Sequence, residues 1–148
     1  MHGTQKVGTY WRHLESAEQR EFCMTCGVTE SMEHILTRCQ ATPQPTIWQE
    51  AEALWPHAPH LWPEISLGII LGCGAITPPI EEDLKDPTEQ NLRAQQSKIR
   101  GTRRLLQILI SEAAHLIWVL RCERVIQEPP CIHTEDEIKM RWLKAINT

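Results

Sequence analysis

The chain has 148 residues, 41% of them hydrophobic and 23% charged, which is enough apolar material for one packed domain and too much for a disordered tail. Fifteen Lys and Arg against nineteen Asp and Glu leave a net charge of −4. That balance excludes a globally basic nucleic-acid binder and confines any such contact to a local patch.

From the N-terminus, Val7, Trp11 and Leu14 recur at helical spacing. Residues 23–39, CMTCGVTESMEHILTRC, hold three of the six cysteines and one histidine. ATPQP at 41–45 reads as a break. Thr46 with Gln49 is a capping-box pattern that opens a helix over about 47–55. Its apolar stripe is Trp48, Ala51 and Trp55, and Pro56 stops it. A proline-rich connection covers 57–64. ISLGIILGCG at 65–74 suits a short helix or a buried strand, and the lack of a second strand to pair with it favours a short irregular helix.

Residues from about 75 to 92 form an acidic, proline-containing loop, and 93–104 then carry five positive charges and no negative one. A long helix is predicted over about 102–127, roughly 39 Å at about 1.5 Å per residue. Its middle is apolar on nearly every side, which makes it the central buried helix. The apolar stretch 105–120 is short for a membrane span and carries Gln107, Glu112 and His115, so no membrane contact is expected. EPPC ends this helix. Thr134 with Glu137 is a second capping box, opening a last helix over about 134–147 with Ile138, Trp142 and Ile146 on one face. The six tryptophans are expected to anchor helix packing. The fold expected is mostly α: a small helical domain (41–148) with an N-terminal zinc-knuckle-like CCHC module (1–40).

The chemistry concentrates in the spacing Cys23-x2-Cys26-x7-His34-x4-Cys39. A Cys-x2-Cys turn brings two thiolates to one side of a tight loop, and Gly27 supplies the positive φ that such a turn needs. Thr29 or Ser31 can cap a short helix that presents His34, with Cys39 at or just past its end. Four N/S donors of this kind make a closed tetrahedral site for one structural Zn²⁺, with no open position for catalysis. The alternative is a buried helix with inert thiols, in which Ile35 and Leu36 are core residues. Four ligand types in finger-like spacing within 17 residues favour the metal. No signal-peptide pattern opens the chain, so an intracellular protein, nuclear or cytoplasmic and not secreted, is expected.

With these residues in view, the chain resembles the zinc-binding region near the C-terminus of non-LTR (LINE-type) retrotransposon reverse transcriptase polyproteins. The family pattern is a Cys-x2-Cys-Gly turn, a Glu, a His followed by two apolar residues, and a closing Cys. Here Cys23, Cys26, Gly27, Glu30 or Glu33, His34, Ile35, Leu36 and Cys39 carry it. GTYW before the motif, WPEISLGIILGCG after it and the block LISEAAHLIWVLRCERVI with EDEIKMRWLKAIN are similar to such elements in mushroom-forming fungi. The resemblance implies a non-catalytic piece of a polyprotein, separate from its enzymes, because no Tyr-x-Asp-Asp polymerase motif and no RNase H acidic set is present. The partners it implies are element RNA or target DNA, other domains of the parent polyprotein, or a second copy.

Other constellations are weaker. Lys98, Arg100, Arg103 and Arg104 are candidates for salt-sensitive, sequence-blind phosphate contacts, with a solvated charged linker as the alternative. Glu112-x-x-His115 is half of a di-iron motif whose second half is missing. Cys122, Cys131 and His133 match no metal spacing, and the expectation is a buried Cys122 and a loop Cys131. No catalytic set is apparent around Cys73, and His13, His57 and His60 are expected at the surface. The two function classes carried forward are a zinc-stabilised module that touches nucleic acid and a helical protein–protein interaction module.

Overall fold

The computed structural model describes residues 5–78 and 88–148. The chain is mostly helical, and the described residues contain no β-strand, only an isolated antiparallel bridge between Phe22 and Thr29. Four α-helices are formed: α1 (Pro43–Ala53), α2 (Leu67–Leu71), α3 (Glu89–Val125) and α4 (Glu135–Ile146). Short 3-10 turns occupy Gly8–His13, Glu18–Glu21 and Pro59–Leu61, and His34–Arg38 is a π-turn.

The core forms where α1, α3 and α4 pack on one another. On α3, Leu106, Leu109, Ile110, Ala113, Ile117 and Leu120 recur at three- and four-residue spacing and are buried. Ile47 and Ala51 of α1 and Ile138 and Trp142 of α4 close over them, all fully buried. Trp48, Trp62 and Trp118 pack on the edges of this core while Trp55 is buried in it with Trp142, so five of the six tryptophans anchor the packing, and Trp11 is buried outside it. Trp55 also meets Trp62 edge-to-face at 5.8 Å. At α4 the expected capping box is formed in both directions between Thr134 and Glu137. The 65–74 segment is helical over Leu67–Leu71, with Ser66 Oγ accepting from the Ile69 N–H at 3.2 Å.

Several expectations shift. The helix over about 47–55 begins earlier, at Pro43, and Thr46 is a buried residue inside it and not its N-cap. Pro43 and Pro45 sit in the first turn, where backbone N–H groups have no helical partner to lose, so ATPQP starts a helix where a break was expected. The long helix begins at Glu89, not near 102, capped by Thr88 Oγ1, which accepts from the Asn91 N–H. At 37 residues it is about 55 Å long. The expected loop over about 75–92 therefore gives up its last residues to α3, and residues 79–87 lie outside the described part. Nor is α3 apolar on nearly every side: Gln107, Ile108, Ser111 and His115 face solvent, and Leu92, Arg93, Lys98 and Arg100 are exposed along its first turns. By length and composition α3 could cross a membrane, with a window of mean hydropathy 1.5, but half of that window is buried within the chain.

The N-terminal residues fold onto this core. Trp11 is buried and donates its indole N–H to the Lys6 carbonyl at 3.1 Å, while Leu14 is exposed, so the helical pattern there yields only a 3-10 turn. Gly8 has φ +51°, and a Cβ there would fall 2.3 Å from the Glu30 carbonyl oxygen. Only glycine permits that approach.

Candidate metal centre

The knuckle starts from two backbone bonds. The Gly27 N–H donates to the Cys23 carbonyl at 2.7 Å, and the Cys23 N–H donates to Val28 at 2.8 Å. Gly27 adopts φ +70°, the left-handed conformation the turn requires. This places the Cys23 and Cys26 thiols on one side of the loop.

The second pair of donors comes from the π-turn. Ser31 Oγ accepts from the His34 N–H at 3.0 Å, so Ser31 and not Thr29 caps this segment. The wide turn closes when the Cys39 N–H donates back to the His34 carbonyl at 2.7 Å, which sets His34 and Cys39 beside each other. Helix α1 fixes the turn from below: Gln44 and Trp48 both donate to the Leu36 carbonyl, at 3.2 and 2.8 Å. Ile35 and Leu36 are buried in the main core, as the alternative reading also required. The turn therefore serves the core with one face and the donor cluster with the other.

One donor atom from each of Cys23, Cys26, His34 and Cys39 lies within 4.8 Å of all the others. Cys23, His34 and Cys39 are buried, and Cys26 is half-buried. The Cys23 and Cys39 sulfurs are 3.7 Å apart, far beyond a disulfide bond of about 2.05 Å. That separation equals the edge of a tetrahedron around a metal with thiolate bonds of about 2.3 Å, which is about 3.8 Å. The Gln40 and Ala41 N–H groups point at the Cys26 and Cys39 sulfurs at 3.3 and 3.4 Å, an outer layer typical of thiolate sites. His34 Nε2 is buried and has no hydrogen-bond partner. A buried ring nitrogen left orphaned carries a desolvation cost that a metal bond removes. The four residues fit a metal ion.

The electrostatics agree. Burial pushes the Cys39 thiol up to about 12, with the Cys23 and Cys26 sulfurs adding to it against the Ala41 N–H. Burial also raises Cys23, but the neighbouring His34 ring and the Cys26 and Thr25 backbone bring it down to about 7. A bound cation would favour the ionised form of both thiols, the lowered Cys23 and the raised Cys39.

No family model matches this chain, and neither a curated protein nor a solved structure matches it.

The other candidates are dispersed. Lys98, Arg100, Arg103 and Arg104 are all exposed on α3. At 3.6 residues per turn Arg100 and Arg104 share a stripe with Arg93, whereas Lys98 lies across the helix. Arg103 donates to the Gly74 carbonyl at 3.0 Å. Glu112 and His115 join no metal cluster among the described residues, and His115 is exposed. Cys122, Cys131 and His133 form none either: His133 Nε2 meets Glu123 at 2.6 Å. Arg141, and then His133, hold the Glu123 carboxyl below its ordinary range. Cys122 is half-buried, as is Cys131 in its loop. His57 is not a bare surface residue; it is half-buried and bonds Thr102 Oγ1 at 3.2 Å.

The sequence reading missed one contact beside the centre. Glu30, between the two ligand pairs, forms a buried ion pair with Arg121 of α3, their side chains 1% and 2% exposed. The signal available was an arginine inside an otherwise apolar run, IWVLRC. Its partner, 91 residues away, has no local pattern.

Proposed function

We propose that Cys23, Cys26, His34 and Cys39 hold one structural Zn²⁺ ion, and that the chain is a non-catalytic zinc-binding module of the retroelement reverse transcriptase polyprotein type. The observation that carries the metal is the orphaned, buried His34 nitrogen among three thiols, all four donors within 4.8 Å of one another and the Cys23 and Cys39 sulfurs 3.7 Å apart. Thiolate and imidazole donors select zinc over harder cations. Four protein ligands leave no position for a reacting water, so the ion stiffens the fold and does not act as a Lewis acid. The polyprotein reading rests on the resemblance of the motif and its flanks. Elemental analysis of protein purified without added metal tests the first part: one zinc per chain is expected, and none would reject it.

Contact with RNA or DNA is the companion proposal. From Gln90 to Ser111 α3 carries no acidic side chain. Lys98, Arg100 and Arg104 make no ion pair among the described residues. Arg100 and Arg104, a basic pair on one exposed face of α3, fit phosphates spaced along a backbone, read without base contacts, with Lys98 on the opposite side. Arg100→Gln with Arg104→Gln is expected to weaken binding of a single-stranded RNA oligonucleotide and to flatten its salt dependence by about 1.4 log units per log unit of salt, at about 0.7 per phosphate contact. Identical salt slopes for variant and wild type would reject the contact.

A protein–protein module is the second reading, and a particular surface favours it. A groove of about 490 Å³ runs between the knuckle and the Pro130–His133 loop. Met24 on one rim and Ile132 on the other are 86% and 83% exposed. Two such apolar side chains lining one groove support the reading of a docking surface. Met24→Ser with Ile132→Ser is expected to abolish any self-association seen by light scattering while leaving the helical content intact. A dimer that persists in the variant would remove this surface from the reading.

A further inference from the structure

Glu30 occupies a singular position in the chain. Its N–H donates to the Glu21 carbonyl at 2.9 Å, on the same short ladder that shapes the Cys23–Gly27 turn. The next residue, Ser31, caps the turn that presents His34. Glu30 is thus the joint between the two ligand pairs. Its carboxylate is buried and accepts from both Nε and Nη2 of Arg121.

Arg121 does more than neutralise that carboxylate. Its Nη1 donates to the Lys6 carbonyl at 3.3 Å. Its guanidinium stacks over Trp118 at 5.5 Å, which fixes the side chain. It also lines, with Ile35 and Cys39, a small cavity of about 10 Å³ behind the donor cluster. One side chain on α3 therefore grips the N-terminal segment at Lys6, holds the joint at Glu30, and forms part of the wall behind Cys39.

We propose that Arg121 is a positioning residue of the metal centre, so that metal binding and docking of residues 6–30 onto α3 are one coupled event. The proposal rests on the metal-centre reading above. Without Arg121, Glu30 is an uncompensated buried charge and must move toward water. The joint moves with it, and the Cys23–Cys26 pair leaves its register with His34 and Cys39. Linkage makes the effect reciprocal: what the metal adds to docking, docking adds to metal affinity. Lysine is no substitute, because a single ammonium on a flexible stem lacks the fork that reaches Glu30 and Lys6 together.

The test uses the full chain, with zinc affinity read by competition against a chromophoric chelator and helix content followed by circular dichroism. Arg121→Met and Glu30→Gln are each expected to weaken zinc binding by about tenfold or more, the range usual for groups that orient metal ligands. The double variant is expected to lose less than the sum of the two, because no unpaired charge remains buried. Arg121→Lys is expected to resemble Arg121→Met. In wild type, chelation is expected to speed tryptic cleavage after Arg12 and Arg20 with α3 still helical, a readout independent of any variant's folding. Unchanged zinc affinity in helical single variants, additive losses in the double variant, or cleavage indifferent to chelator would each overturn the coupling. A wild-type chain that takes up no zinc rejects the centre itself, and is thereby distinguished from a failure of Arg121's role alone.

Discussion

Cys26→Ser is expected to leave the protein without its metal and to open the N-terminal segment while the three-helix core stays folded. The serine hydroxyl does not ionise near neutral pH, so the site drops to three good donors, two thiols and the buried, orphaned imidazole. Structural zinc in small modules is worth on the order of 10 kcal/mol at neutral pH, so the loss should be close to complete under competition. The core should survive because α1, α3 and α4 bury most of their apolar faces against one another, with Ile35 and Leu36 the knuckle's buried contribution to it. Circular dichroism should therefore change little, while zinc content falls toward zero. An unchanged zinc content would contradict the centre.

The same centre has a defined response to acid. A thiol raised to about 12, as Cys39 is, remains protonated at neutral pH until a cation displaces its proton. Metal uptake then releases protons, so affinity rises with pH and falls on acidification. Cys23, lowered to about 7, adds a further loss as pH drops through neutrality.

The second large effect lies in the core. Trp142→Ala is expected to destabilise the fold by about 3–5 kcal/mol, because its side chain is fully buried where α4 meets α1 and α3. A loss of that size should lower the melting temperature by roughly 10 °C in a chain of this length. Trp142→Phe should cost far less. The Trp142 indole N–H is buried without a partner, so phenylalanine gives up volume but no hydrogen bond. Comparable melting points for the alanine and phenylalanine variants would show that this ring is not a packing anchor.

The donor cluster was legible because it is local. Cys23, Cys26, His34 and Cys39 fall within 17 residues, and spacing alone brings them into reach of one another. The capping box at Thr134 and the apolar face of α4 were legible for the same reason. The start of α1 was not, because Pro43 and Pro45 read as a break from either side, and only the packing of Ile47 shows that they begin a helix. Nor was the start of α3. Its first turns bury little, so no apolar period marks them, and the local signs are the Thr88 cap and Glu89 in the first turn. The ion pair of Glu30 with Arg121 lay beyond reach altogether, since nothing in either neighbourhood points to the other.

That separation orders the events of folding. A loop closed over 17 residues forms quickly, whereas contact across 91 residues waits until the chain between exists. On a ribosome adding about 5–20 residues per second, the knuckle emerges several seconds before α3 does. For that interval it can be loaded with metal yet have no surface to rest on. The arginine that secures it is synthesised late, so a metal ion taken up by the knuckle would be captured by a nascent segment and retained by a finished protein.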